Sequence, residues 1–204
     1  WQRQLDMDRL RDYRRNGNLV SWNINSPTNL QPLYWDSPFV EPYENVNYQT
    51  KNAFFGKMGM SYDFGQGFDA TVEVRKRMNS YEFNDRFAWG ALGQPSYRES
   101  ESTDNQEEVF GYVNYQKEIN EDFDVSARAG FELQTNTYKS INAATVGGLT
   151  TVNHYSLDTS VDRPTLSSYA SKSKRRSMFL NASFGYKSML YLDGAARFDW
   201  SSTA

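Results

Sequence analysis

Cysteine is absent from the chain, and histidine occurs once, at His154. Without a thiol there is no disulfide, no thiolate metal site and no cysteine nucleophile. A lone imidazole has no second one with which to share a zinc ion. No apolar run approaches the ~18 residues of a transmembrane helix. A surplus of one charge is missing too: the formal net charge is −3, so no basic field points to nucleic acid. The phosphate-cradling patterns G-x-x-x-x-G-K-[ST] and G-x-G-x-x-G do not occur, nor does the nucleophile elbow G-x-S-x-G. Asp122-Phe123-Asp124 lacks the rest of a calcium loop. These absences predict a protein without catalytic machinery and without a cofactor. The chain starts Trp1-Gln2-Arg3, with neither a basic nor an apolar leader, as either a mature protein cut after a signal peptide or an internal piece would; a final strand with nothing to pair against favours the internal piece.

What is present is aromatic and alternating. Hydrophobic residues make up 38% of the chain, low for a globular protein, yet aromatics reach 16%. Successive side chains of a strand point to opposite faces, and six stretches obey that period. Strand one, Ala53–Phe64, puts Phe54, Met58, Met60, Tyr62 and Phe64 against Lys57, Ser61 and Asp63. Strand two, Phe68–Asn79, sets Val72, Val74 and Met78 against Glu73, Arg75 and Arg77. Strand three, Glu108–Lys117, is ambiguous; Val109, Gly111, Val113 and Tyr115 are taken as its apolar set. Strand four, Phe123–Gln134, opposes Phe123, Val125, Phe131 and Leu133 to Asp124, Arg128 and Glu132. Arg175–Trp200 holds strands five and six, with Met178, Leu180, Phe184, Leu192 and Phe198 on the apolar face. Phe179 breaks the pattern in strand five, and Lys76 is a charge on the otherwise apolar face of strand two, near its extracellular end.

Each pair closes on a short turn, at Gly65-Gln66-Gly67, Asn120-Glu121-Asp122 and Ser188. Long connections separate the hairpins 53–79, 108–134 and 175–200: Ser80–Gln106 and Thr135–Lys174. Residues 1–52 read as a loop region, with a short surface helix within Trp1–Arg15. Residues 16–49 are rich in proline, which disfavours strand and helix interiors. Soluble sheets rarely need such long links, whereas outer-membrane barrels combine short turns at one end with long extracellular loops at the other. The predicted fold is therefore all-β: an antiparallel up-and-down transmembrane β-barrel segment of six strands in three hairpins. The alternative is a soluble β-sandwich or lipocalin-like binding module with its apolar face inward.

Candidate functional residues follow from the faces. Arg75, Arg128, Glu132, Asp193, Arg197 and Asp199 fall on polar faces, which line the lumen of a barrel. There they contact a plug or substrate, or form a salt-bridged wall. Trp22, Trp35, Phe39 and Tyr43 sit in the proline-rich region. They stack on sugar rings, pack the loop, or seat a partner. The acids Glu99, Glu101, Asp104, Glu107 and Glu108 form either a cation site or a solvated run. Lys172, Lys174, Arg175 and Arg176 meet lipid phosphates or pair with loop acids.

An ordered set of segments resembles the SusC/RagA-type TonB-dependent outer-membrane transporters of Bacteroidota. It comprises Tyr191-Leu192-Asp193 followed by Arg197-x-Asp199-Trp200-Ser201-Ser202-Thr203; Arg3-Gln4-Leu5-Asp6-Met7-Asp8 with Leu10; Tyr34-Trp35-Asp36 with Pro38; Glu44-Asn45; and Val146-Gly147-Gly148-Leu149 with Tyr155-Ser156-Leu157. The resemblance implies a barrel of about 22 strands, an internal plug and a SusD-type surface lipoprotein as lid. It implies energised import of oligosaccharides or peptides, with TonB engaging the plug. This chain carries no plug segment, and six strands cannot close such a barrel. It would need the remaining barrel strands and outer-membrane lipid around it. Phe198 stands where the family often has a small polar residue.

Overall fold

The computed structural model describes residues 6–203. Six long strands form one antiparallel sheet: β5 (Asn47–Gly65), β6 (Phe68–Phe87), β7 (Ser96–Asn120), β8 (Phe123–Leu149), β9 (Ser160–Tyr186) and β10 (Leu190–Thr203). Each strand pairs with its sequence neighbour, in the order β10-β9-β8-β7-β6-β5. This is the all-β up-and-down meander that the alternation predicts.

The tight turns are built by backbone chemistry. Gly65, Gln66 and Gly67 all have positive φ (76°, 54° and 89°), a region that costs glycine least. Gly67 has a second reason to lack a side chain. Its carbonyl accepts the Gln116 N–H at 2.8 Å, and a Cβ there would collide with the Gln116 carbonyl. At the next hairpin the Asn120 side chain accepts the N–H groups of Asp122 and Phe123, both at 3.0 Å, the Asx arrangement expected of that residue.

The strands outrun their predicted bounds. The links expected at Ser80–Gln106 and Thr135–Lys174 shrink to residues 88–95 and 150–159, the latter including a 3-10 turn at Leu157–Thr159. Stretches such as Ser96–Gln106 have no apolar face, so alternation did not mark them. Ladder bonds are main-chain bonds and form whatever the side chains are. The polar region 16–49 is also more ordered than a loop. It contains β2 (Asn18–Leu19), paired with β1 (Arg14–Arg15) just before the region, β3 (Ile24–Ser26) paired with β4 (Asn29–Pro32), and a one-turn helix α2 (Val40–Tyr43). Proline is admitted because Pro32 ends its strand and Pro42 lies in a first helical turn, where the missing N–H has no partner to lose. The predicted surface helix is α1 (Met7–Arg11). The resemblance segment Arg3-Gln4-Leu5 lies outside the described residues.

The chain divides into two compact units. Unit 1 comprises Trp1–Lys51, Tyr81–Ser102 and Ser140–Ser168. Every buried hydrophobic residue among those described belongs to it: Leu10, Leu19, Val20, Val40, Ala88, Ala143 and Leu149. Leu19, Val40 and Ala88 pack together with Tyr13 and Ala91 against them. Unit 2 comprises Asn52–Ser80, Thr103–Lys139 and Tyr169–Ala204, which includes the three tight turns. Its apolar face is open: Met58, Met60 and Leu192 are 81%, 77% and 74% exposed, and Phe54, Tyr62, Val72, Val74, Met178 and Phe198 are exposed with them. A closed sandwich would have buried these side chains.

Candidate functional site

The opposite face of unit 2 is a wall of paired charge. Along β9 and β10 the register runs unbroken from Leu190↔Tyr186 to Thr203↔Ser173, placing Asp199 across from Ser177 and Arg197 across from Phe179. Arg197 therefore meets Asp199 on its own strand at 3.1 Å and reaches Glu132 of β8 at 3.0 Å and the Ser177 hydroxyl at 2.9 Å. Ser177 in turn donates to Asp199. Arg175 binds the other oxygen of Glu132 at 2.8 Å and the Gln134 side chain at 2.5 Å. One carboxylate thus holds two guanidinium groups, each bond charge-assisted.

A second cluster surrounds Arg75, which donates to Glu73 at 2.6 Å and to Glu108 at 2.8 Å; Lys57 joins Glu73 at 3.2 Å. The guanidinium also lies over the Phe110 ring, 5.4 Å from its centroid. Arg128 donates to Asn114 at 2.6 Å and covers the Tyr112 ring at 4.7 Å. Asn114 donates onward to Asp69 at 2.8 Å. Arg128 and Asp193 line the same open concavity of about 550 Å³, with Asp69, Asn114, Asn181 and Ser183.

Of the six lumen-lining candidates, the structure joins Glu132, Arg197 and Asp199 in one network. Arg128 and Asp193 border one concavity, and Arg75 stands in a separate cluster. Their partners Arg175, Ser177, Glu73 and Glu108 were missed as site residues, although strand period alone places each on the same face. The acid run lies in β7: Glu107 and Glu108 pair with Lys76 and Arg75, and Asp104 approaches Arg77 at 3.9 Å. Among the described residues no group of three or more His, Asp or Glu is placed to hold a metal ion. His154 lies in the 150–159 connection, where its carbonyl accepts the Thr159 hydroxyl at 3.1 Å.

The aromatic candidates belong to unit 1. Trp22 and Trp35 meet edge to face, with centroids 6.3 Å apart and planes at 73°. Phe39 stacks on Tyr43 at 6.3 Å and Tyr43 on Tyr13 at 6.2 Å. Trp35 and Tyr43 are 59% and 62% exposed. The tip that carries Trp35 is fixed by a residue with no sequence signal, Asn23. Its buried side-chain oxygen accepts the N–H groups of Leu33, Tyr34 and Trp35 at 3.1, 2.9 and 3.0 Å. Its amide nitrogen donates to the Trp35 carbonyl at 2.7 Å. The segment holding Tyr43 is anchored by Glu44, which binds Arg14 at 2.7 and 2.5 Å and accepts the Tyr13 hydroxyl at 2.9 Å. The Arg14 bond holds the Glu44 carboxyl below the usual glutamate range. Asp36, which accepts the Leu92 N–H at 3.0 Å, is pushed the other way, chiefly by burial.

No helix among the described residues is long and apolar enough to cross a membrane, which says nothing of a β-barrel. A meander with one exposed apolar face and one ion-paired face is the architecture of a barrel wall. No protein-family model matches the sequence, and no curated protein matches it. Solved structures do. Over 91% of its length the chain is similar to a chain in a structure of the RagAB peptide transporter, with 14% identity and a TM-score of 0.71. It is similar over 92% and 82% of its length to chains of the RagAB peptide importer in the open-open and closed-closed states, at 16% and 15% identity and TM-scores of 0.66 and 0.62. The chain spans about a fifth of the length of each, 21%, 21% and 19%. At that identity the likeness defines the fold: a segment of β-barrel wall.

Proposed function

We propose that this chain is a wall segment of an outer-membrane, TonB-dependent importer of the SusC/RagA type, carrying oligosaccharides or peptides and performing no covalent chemistry. In this reading the remaining strands and plug belong to the rest of the barrel, and a SusD-type lipoprotein covers it. Trp22, Trp35, Phe39 and Tyr43 face substrate or lid, and the ion-paired face lines the lumen against the plug. The observation that carries the proposal is the exposed apolar face of unit 2, backed by the paired charges of Glu132, Arg175 and Arg197. The fold likeness to RagAB chains supports it. A soluble sandwich or lipocalin-like module would need that face covered by its own chain.

These 204 residues contain no cysteine, so a thiol introduced among them is unique within the segment. Single cysteines are placed at Met58, Val72 and Leu192, and at Ser61, Ser126 and Ser183, in the intact protein in isolated outer membranes, with any cysteine elsewhere in it first replaced by serine. Cysteines at the first three should resist a water-soluble maleimide and carry a fluorophore quenched by brominated lipid. The second three should label from water. Equal labelling of both sets would end the barrel reading.

A further inference from the structure

The basic run Lys172, Lys174, Arg175, Arg176 is split by strand period. Arg175 turns to the polar face and pairs with Glu132. Lys172, Lys174 and Arg176 share the other face, the one that carries Met178 and Leu180 farther along β9. All three are exposed. Among the described residues, Arg175 is the one member of the run with a carboxylate in ion-pair range. The register sets Arg176 opposite Trp200, Lys174 opposite Ser202 and Met178 opposite Phe198, with no bulge to turn them aside.

Beneath this column of cations lies a groove of about 600 Å³, lined by Leu133, Arg176, Met178 and Trp200 together with Phe131 and Ser177. Leu133, Met178 and Trp200 are 44%, 59% and 55% exposed. An apolar trough therefore runs up to a guanidinium and an indole, with two ammonium groups beyond. Residues two apart on a strand rise about 6–7 Å, so the three cations form a ladder that several anionic oxygens can occupy together.

We propose that this part of unit 2 is a binding site for a phosphate-bearing anionic lipid, its acyl chain in the groove and its phosphate on Arg176 and Lys174, with Lys172 closing the site. Charge complementarity selects the occupant. Three unpaired cations beside an apolar trough suit an anionic headgroup on a hydrocarbon tail, and suit neither a neutral lipid nor a free anion. Trp200 stands at the junction, where indole is favoured between hydrocarbon and headgroup. The site rests on the barrel-wall reading, which puts this face in lipid.

The test uses the intact protein in neutral maltoside micelles, titrated with dioleoyl phosphatidic acid and followed by native mass spectrometry. Dioleoylglycerol supplies the same tails without phosphate, and inorganic phosphate supplies the anion without tails. The wild type should retain phosphatidic acid and not dioleoylglycerol. The triple variant K172Q/K174Q/R176Q should lose about tenfold or more in apparent affinity, as three cations near an anionic headgroup imply. W200A should weaken phosphatidic acid binding while leaving the salt dependence intact. Millimolar inorganic phosphate should not displace the lipid. Equal retention by wild type and triple variant, or displacement by inorganic phosphate, overturns the site while leaving the barrel reading standing. A protein that stays monodisperse without detergent overturns both.

Discussion

Phe179 lies on Phe110 with ring centroids 5.8 Å apart and planes 12° from parallel. The stack stands on the charged face, beside the Arg75 guanidinium that covers Phe110 from its own side. The pair bridges β7 and β9 across β8, over the side-chain-free Gly130. Replacing Phe179 by Ala should cost about 1–3 kcal/mol, less than the ~3–5 of a fully buried ring. Thermal unfolding of the detergent-solubilised protein reads it. Gly130→Ala should destabilise as well, since its Cβ would meet both the Phe179 ring and the Gly111 carbonyl oxygen, 2.6 Å away. Because that oxygen is backbone, the double variant F179A/G130A should recover part of the loss and not all of it.

Glu132 is the shared anion of Arg175 and Arg197. Glu132→Ala should leave two guanidinium groups facing each other and lower stability by about 1 kcal/mol, a value kept small because both arginines are half-exposed. Glu132→Gln keeps an acceptor and should cost less. An unchanged melting temperature in both variants would mean that the network adds nothing to stability.

Asn23 satisfies three N–H groups at the tip 33–35. Asn23→Ala should release the Tyr34 and Trp35 N–H groups at a cost of about 2–3 kcal/mol, while Leu33 N–H keeps the Asn23 main-chain carbonyl at 2.7 Å. Hydrogen exchange of the Tyr34 and Trp35 amides should accelerate, while amides of β9 and β10 stay protected. Uniform acceleration across the chain would show that the effect is global.

Acid acts on unit 1 through two carboxyls of opposite sign. Glu44 is held below its ordinary range by Arg14. Its contribution is full above the unfolded pKa and is lost as pH falls through the lower folded value. Asp36 is raised, so acidification through its window favours the folded state. Amides of residues 13–20 should therefore exchange faster below the usual glutamate range, relative to the intrinsic rate at each pH. Glu44→Gln should abolish that pH dependence, and Asp36→Asn should steepen the net acid destabilisation.

Residues 1–204 expressed without detergent should associate. The apolar face of unit 2 meets water, and long strand edges invite further pairing. Analytical ultracentrifugation should find polydisperse assemblies; a monodisperse, cooperatively melting monomer would contradict the exposure argument.

Much of this fold was legible in period two. The three tight turns, the existence and order of the six strands, and the faces of residues within 53–79, 108–134 and 175–200 follow from alternation. Phe179 broke the pattern because Phe110, on the ambiguous strand, is its partner; the two irregularities are one contact. Strand lengths were not legible where neither face is apolar, as in Ser96–Gln106, since pairing there rests on main-chain bonds. Arg175 was read as one of four basic neighbours, and its pairing with Glu132 depends on register that sequence does not contain. Asn23 was invisible for a similar reason: its three acceptor bonds lie ten to twelve residues away.

The β9–β10 turn sets the phase of everything after it. Lys187 and Ser188, with φ of 50° and 54°, reverse the chain in the three residues between the paired Tyr186 and Leu190. From there the pairing continues without a slip to Thr203. While the turn keeps its three residues, a residue inserted or deleted just beyond it slips the pairing by one and inverts β10, sending Arg197 and Asp199 to the apolar side and Leu192 and Phe198 to the charged one. Two residues would restore the parity. A longer turn absorbs the extra residue and keeps the register, so odd length changes should fall inside the turn or appear with a compensating bulge farther along the strand.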